Sequence, residues 1–86
     1  MDKIKYFFEC YFNQSANYAD MESLVIEFYE IESDNYVNSI KEELSKVKKN
    51  QAWNDFMDIA YSSGGRLIQP EKCEEFVNNL IRLFKK

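Results

Sequence analysis

The chain has 86 residues, of which 45% are hydrophobic and 30% charged, and its formal net charge is −4 at pH 7. This length provides one domain with one hydrophobic core, and no apolar run is long enough to cross a membrane. No histidine is present, which removes the usual general base and a common zinc ligand. We therefore expect neither an enzyme nor a metal or cofactor site.

Two apolar stripes occupy the first third of the chain. The first has the i, i+3, i+4, i+7 spacing of one helix face and consists of Ile4, Phe7, Phe8 and Tyr11. It predicts a helix near residues 2–13. Asp20 is a favourable N-cap, and a second helix is expected behind it, near residues 21–30. The stripe of this second helix consists of Met21, Leu24, Val25 and Phe28.

Three further stripes complete the chain. They predict helices near residues 34–49, 51–61 and 70–85. Ser33 or Asp34 can cap the first of these helices. Gly65 suits a left-handed end of the second, and Pro70 suits the first turn of the third. The segment RLIQ at residues 66–69 is the only one that could be extended, and it is too short to form a sheet.

Five amphipathic helices joined by short loops predict an all-α fold, a compact single-domain bundle over residues 1–86. The fourth stripe consists of Trp53, Phe56, Met57, Ala60 and Tyr61. We expect Trp53 to lie largely in the core, so that Trp53→Ala destabilises the fold by about 3–5 kcal/mol.

Cysteine usage and the N-terminal segment indicate the compartment. Cys10 and Cys73 are far apart and belong to no C-x-x-C pair, so we expect buried thiols rather than a disulfide. The apolar N-terminal segment is interrupted by Glu9 and has no small-residue cleavage site, and it does not read as a signal peptide. We therefore expect a cytoplasmic protein.

Charge is unevenly distributed. Residues 20–34 read DMESLVIEFYEIESD and hold six acids without one Lys or Arg. Residues 1–40 carry eight acids against two bases, whereas residues 41–86 carry seven acids against nine bases. Because phosphate contacts need clustered Lys and Arg, the acidic first half argues against nucleic acid as a direct ligand. A basic partner protein is the simpler complement.

The acidic segment has two interpretations. With the apolar stripe of the second helix turned inward, Ile26 and several acids point outward. They form either a solvated helix face or an acidic docking surface with Ile26 as an apolar anchor beside Tyr29. The docking interpretation names eight contact residues: Asp20, Glu22, Ile26, Glu27, Tyr29, Glu30, Glu32 and Asp34.

The segment IKYFFECYFNQ at residues 4–14 resembles the opening of a family of contact-dependent growth inhibition immunity proteins (CdiI). That family begins with an aromatic-rich helix of the form L-K-x-F-F-x-x-Y-F-x-Q. Its places are filled here by Ile4, Lys5, Phe7, Phe8, Tyr11, Phe12 and Gln14. An acidic helix with an apolar stripe follows in the family, as residues 20–30 do here.

The resemblance implies a non-enzymatic inhibitor in the cytosol of the producing cell. Such proteins bind the C-terminal toxin domain of a CdiA-type effector delivered by neighbouring cells and block its activity. Many of these toxins are nucleases, and nucleases need basic substrate grooves. An acidic immunity protein is suited to cover such a groove or a patch beside it.

Two alternatives remain open. A nucleic-acid mimic would carry regularly spaced acids over most of its surface and a stronger net charge than −4. A helical adaptor or regulatory protein would bind a partner unrelated to any toxin. An upstream open reading frame that encodes a large secreted effector would favour the immunity interpretation over both.

Overall fold

The structure is a computed structural model, and it describes residues 1–85. Five α-helices follow in chain order: α1 (Asp2–Cys10), α2 (Met21–Ile31), α3 (Asp34–Asn50), α4 (Trp53–Gly64) and α5 (Pro70–Leu83). One turn of 3-10 helix, Tyr18–Asp20, precedes α2. No strand occurs among the described residues, and the predicted all-α class is confirmed. The predicted helix near 51–61 begins at Trp53 and runs on to Gly64.

Helix α1 ends before residue 13 because the chain turns at Tyr11. The N–H groups of Tyr11 and Phe12 both bond to the Phe7 carbonyl at 2.9 Å, and Phe12 is fully buried beyond this turn. Cys10 is exposed, so the expectation of a buried thiol is wrong there, whereas Cys73 is buried as expected. Both thiols are free, as predicted.

Helix α1 packs against both α3 and α4. One of its faces is apolar, and Ile4, Phe7 and Phe8 on that face are buried. Its N-terminus is capped by another helix, because Glu43 of α3 accepts the backbone N–H groups of Lys3 and Ile4 at 3.0 Å. This carboxylate satisfies two donors that the helix itself cannot pair, and it lies at the positive end of the helix dipole.

Aromatic rings make the core continuous between helices. All seven phenylalanines are buried. Phe7, Phe28 and Phe84 meet edge to face with ring centroids 5.6–5.9 Å apart, which joins α1, α2 and the end of α5. Phe8 meets Phe56 of α4 in the same way at 5.6 Å. Such pairs contribute about 0.5–1.5 kcal/mol each beyond the area they bury.

Helix α4 approaches α1 closely at Gly64. A Cβ at this position would lie 3.1 Å from the Phe8 Cβ and 3.2 Å from the Phe8 carbonyl oxygen. Because the Phe8 backbone is held inside a helix, it cannot move aside for a larger residue. The next residue, Gly65, ends α4 with φ of 66°, a conformation that favours glycine, and this end was predicted.

Two other predicted helix signals are confirmed and one is wrong. Ser33 caps α3, since its Oγ accepts the N–H of Tyr36 at 3.3 Å. Pro70 occupies the first turn of α5. Asp20 directly precedes α2, but its side chain makes no cap bond to that helix. Its carboxylate instead accepts the N–H of Asn17 at 3.2 Å and stabilises the 3-10 turn.

The predicted stripe of α4 is wider than its buried face. Phe56 and Ala60 are fully buried. Trp53 is only partly buried and packs on the outside of the core, so its predicted place largely within the core is wrong. Tyr61 points away and is 64% exposed. A stripe of five residues covers more than one side of a helix, and contact with α1 and α5 decides which residues are covered.

This arrangement predicts different costs for two substitutions on α4. Phe56→Ala should destabilise the fold by about 3–5 kcal/mol because it empties a filled core position. Trp53→Ala should cost only about 1–2 kcal/mol because much less apolar surface leaves the core. Urea unfolding followed by circular dichroism measures both changes, and an equal or larger cost for Trp53→Ala would contradict this packing.

Candidate functional site

Helix α2 presents the acidic segment to solvent. Its inner side is held by Met21, Val25 and Phe28, all buried. Because these residues are spaced by three and four, the residues between them must lie on the opposite side of the helix. The outer face of α2, as we use the term, consists of Glu22, Ile26, Glu27, Glu30 and Ile31, all exposed.

Two isoleucines lie on this outer face among the acids. Ile26 is 40% exposed, as the sequence predicts, and Ile31 is 64% exposed. On a helix, Ile26 neighbours Glu30 and Ile31 neighbours Glu27, because residues four apart lie side by side. Sequence analysis did not single out Ile31. Its position four residues after an outward acid is the signal that could have identified it.

Three acids of this region, Glu27, Glu30 and Asp34, are not engaged by other side chains of the described chain. Within residues 1–85, the carboxylates of Glu27, Glu30 and Asp34 make no hydrogen bond or ion pair. The ion pair on the described surface joins Lys5 to Glu9 of α1 at 3.9 Å. The three exposed carboxylates are therefore available to a cationic partner.

Glu32 differs from these acids. The sequence placed it in the loop after α2 as a docking residue, but it is only partly exposed and caps the end of α2. Its Oε2 accepts the hydroxyl groups of Tyr6 at 2.8 Å and Tyr11 at 2.6 Å. Glu32 therefore lies just after α2, as predicted, but its carboxylate is engaged within the fold, where it ties α2 to α1.

The Glu32 carboxylate helps to raise the pKa of both tyrosines. The hydrogen bond to Glu32 is the main cause that raises the pKa of Tyr6 to about 12, with burial second. Burial is the main cause that raises the pKa of Tyr11 still further, and the hydrogen bond to Glu32 adds to it. In each case a phenolate beside the carboxylate would be repelled, so the neutral hydroxyl is favoured.

Tyr29 also has a structural contact. Its side chain is partly buried, its hydroxyl donates to the Phe84 carbonyl, and its ring packs on the Phe84 ring with centroids 5.8 Å apart. The Lys41 ammonium lies 5.5 Å from the centre of the Tyr29 ring. Tyr29 thus borders the outer face of α2, beside Ile26 as the sequence predicts, and it also fastens α2 to α3 and to the end of α5.

The remaining predicted contact residues lie at the ends of α2. Asp20, at the N-terminal end, is exposed but engaged with Asn17. Glu22 is exposed on the outer face. Asp34 is exposed at the first turn of α3. The structure therefore brings Glu22, Ile26, Glu27 and Glu30 together on one face. Glu32 and Tyr29 instead make contacts with other helices.

Several lysines lie at the C-terminal end of α3. Lys48 and Lys49 lie in the last turn of α3, at the opposite end of that helix from Asp34. Lys46 is also exposed there. Such residues complement the negative end of the helix dipole. Lys86, which the sequence placed at the end of the last helix, lies outside the described residues.

Two general features of the described residues bear on function. Among residues 1–85, no three His, Cys, Asp or Glu side chains come together in a way that could hold a metal ion. No helix in this part of the chain is long and apolar enough to span a membrane.

Comparison with protein families, curated proteins and solved structures found no match to this chain. The resemblance to CdiI therefore remains an interpretation of the motif at residues 4–14. In the structure, Phe7, Phe8 and Phe12 of that motif belong to the core. Gln14 lies against Gly65, where an added Cβ would be 3.1 Å from its Oε1. The motif thus describes how α1 and the turn after it are packed, and its contacts do not indicate a binding partner.

The Tyr6, Tyr11 and Glu32 contacts predict a pH dependence of stability. Both tyrosines have a folded-state pKa above the unfolded value near 10. Their stabilising effect is therefore complete below pH 10 and is lost as pH rises through the folded values. We expect the urea midpoint of the wild type to fall above pH 10, and to fall less in a Tyr6→Phe/Tyr11→Phe variant.

Tyr61→Phe is the matched control, because Tyr61 is exposed and lies outside this cluster. The control should follow the wild type throughout. An identical decline in the double variant and the wild type would show that the two hydroxyl groups do not couple α1 to α2.

Proposed function

We propose that this chain is an immunity-type binding protein of the contact-dependent growth inhibition kind. It binds the C-terminal toxin domain of a CdiA-type effector through the outer face of α2 and neutralises it without catalysing a reaction. The observation that carries the proposal is the presence on one face of two exposed isoleucines, Ile26 and Ile31, beside two acids, Glu27 and Glu30, that make no hydrogen bond or ion pair in the described chain.

An exposed apolar residue among free charges is typical of a contact surface. Ile26 and Ile31 remain in water in the isolated protein, which is unfavourable. Docking would remove them from water, while the neighbouring carboxylates attract a basic surface before contact. In protein interfaces, a buried apolar residue provides affinity, and exposed charges around it raise the association rate.

The chemistry of the face indicates a basic partner. Glu27, Glu30 and Asp34 gather negative charge without an intervening base. A nuclease toxin carries a positive groove for its substrate. Covering that groove, or a basic patch beside it, would exclude nucleic acid from the toxin.

The distribution of charge disfavours a nucleic-acid mimic. A mimic requires acids over most of its surface, whereas Lys46, Lys48 and Lys49 are exposed at the end of α3. An adaptor that binds another basic protein would use the same face of α2. The identity of the partner distinguishes an adaptor from an immunity protein.

The test is co-expression with the toxin domain encoded immediately upstream of this gene. We expect the chain to restore growth of cells that produce the toxin domain, and to co-purify with that domain as a complex. A toxin domain that kills cells in the presence of the folded chain, and does not bind it in a pull-down, would refute the proposal.

Reversing two acids tests the charge of the face. Glu27→Lys/Glu30→Lys should slow association with the toxin domain, weaken binding most at low salt and abolish protection. The reason is that exposed acids steer encounter and are screened beyond about 8–10 Å at physiological ionic strength. Association rates measured by surface plasmon resonance over a range of salt concentrations report this effect.

The matched control is Asp55→Lys/Asp58→Lys on α4. These acids have the same i, i+3 spacing and exposure and lie on another helix. The control makes the same change in net charge. It therefore distinguishes a contact made by α2 from a general effect of the protein's net charge on association. Equal effects of the two double variants would show that the outer face of α2 is only a solvated surface.

Replacing the apolar anchor should have a different kinetic signature. Ile26→Asp should raise the dissociation rate, with little dependence on salt, because a desolvated contact is lost rather than a long-range attraction. Helical content should be unchanged, since the residue is exposed. If Ile26→Asp instead changed only the association rate, Ile26 would not be the anchor.

A further inference from the structure

A groove runs between α5 and the segment of residues 66–69. It is lined mainly by Tyr18, Leu67, Ile68, Lys72 and Phe76, and it has a volume of about 530 Å³. Leu67 is 79% exposed and Tyr18 is also exposed, so two large side chains stand at its rim in water. The groove is open to the surface and is large enough to receive a side chain of another protein.

The segment beside this groove is a short extended stretch of backbone that ends at Pro70. Leu67 and Gln69 are exposed, whereas Ile68 between them is 5% exposed. This alternation is that of an extended chain, and Gln69 has the extended angles φ −71° and ψ 137°. Within residues 1–85, the N–H groups of Leu67, Ile68 and Gln69 form no hydrogen bond.

Unpaired backbone groups on an extended segment are a template for pairing with another chain. The carbonyl groups of Leu67 and Ile68 are also without hydrogen bonds in the described chain. The pairing edge ends at Gln69, since Pro70 has no N–H. Such an edge gives affinity through the backbone, and the groove next to it can select one side chain.

The segment is fixed in place before any partner arrives. The guanidinium of Arg66 lies 3.9 Å from the centre of the Phe12 ring and 4.9 Å from that of Tyr18. It also donates a hydrogen bond to the Ala16 carbonyl. Arg66 holds the start of the segment against the core. Little conformational entropy is therefore lost when a partner pairs with the segment.

The groove continues to the outer face of α2. A second hollow of about 280 Å³ shares Tyr18, Phe76 and Asn79 with the first and is lined also by Met21 and Glu22 of α2. Charges along the walls are balanced: Lys72, Glu75 and Arg82 on α5, and Glu22 on α2. The net negative charge therefore lies beyond the groove, at Glu27 and Glu30.

We propose that residues 67–69 pair with an extended segment of the basic protein partner. One aliphatic side chain of that segment enters the groove beside Tyr18 and Leu67, and its Lys or Arg residues extend toward the acids of α2. The acids Glu27 and Glu30 favour a basic partner, and the unpaired backbone of residues 67–69 favours a partner segment in an extended conformation. This inference rests on the proposed function, because it assigns a second contact of the same binding event.

The probe is a library of short random peptides displayed on yeast and selected against the wild-type chain. We expect the enriched peptides to contain an aliphatic residue near Lys or Arg residues. Leu67→Asp should weaken their binding by at least about tenfold. Tyr61→Asp is the matched control, since Tyr61 is also a large exposed residue but does not line the groove, and it should leave binding unchanged.

Amide hydrogen exchange tests the backbone pairing directly, because a side-chain contact alone would not slow the exchange of these N–H groups. Exchange at Leu67 and Gln69, or else at Ile68 between them, should slow when an enriched peptide binds, because one added strand pairs with the N–H groups of alternate residues. Enriched peptides that bind Leu67→Asp as tightly as the wild type, or that protect only other segments, would overturn the inference. A selection without any enriched peptide would overturn it as well.

The same variants separate this inference from the proposed function. With the upstream toxin domain as ligand, one outcome is that binding is lost in Glu27→Lys/Glu30→Lys but kept in Leu67→Asp. That result would support α2 as the docking surface and would refute the groove as a second contact. A toxin domain that does not bind the wild-type chain would refute the proposed function, whatever the peptides show.

Discussion

The packing of α1 among the other helices is the constraint on which the structure depends. Phe7 and Phe8 contact aromatic rings from α2, α4 and α5. Glu43 of α3 binds the N-terminus of α1, and Glu32 at the end of α2 binds Tyr6 and Tyr11 near its C-terminus. Gly64 of α4 permits close approach to the same helix. In a chain of 86 residues, one central helix lets a small core reach every element.

This packing divides the acids of the chain into two groups. Glu32 and Glu43 act inside the fold as acceptors for hydroxyl and backbone N–H groups. Glu27 and Glu30 have no such role, although they lie within a turn or two of Glu32. Because Glu32 anchors the end of α2, the helix cannot rotate, and the outward acids are presented in one orientation. The structural acid therefore positions the acids to which we assign binding.

Much of the fold could be predicted from the sequence, because helix periodicity and end signals are local. Ser33, Gly65 and Pro70 act at the positions that their chemistry favours. The errors arise where a distant contact decides the outcome. Nothing near Glu32 in sequence reveals two tyrosines from α1, and the exposure of Tyr61 depends on the angle at which α4 meets its neighbours. The outward position of Ile26 and the extended conformation of residues 66–69 were predicted, whereas the lack of backbone hydrogen bonds at residues 67–69 could be found only from the three-dimensional arrangement.

The most direct test of the central claim is a hydrogen-exchange footprint of the chain alone and in complex with its proposed partner, the C-terminal toxin domain of a CdiA-type effector. We predict slower exchange in α2 (Met21–Ile31) and in residues 66–69 on binding, with no change along the exposed side of α4. A footprint confined to α4 or to the end of α3, with exchange in α2 unchanged, would contradict the assignment of the outer face of α2 as the docking surface.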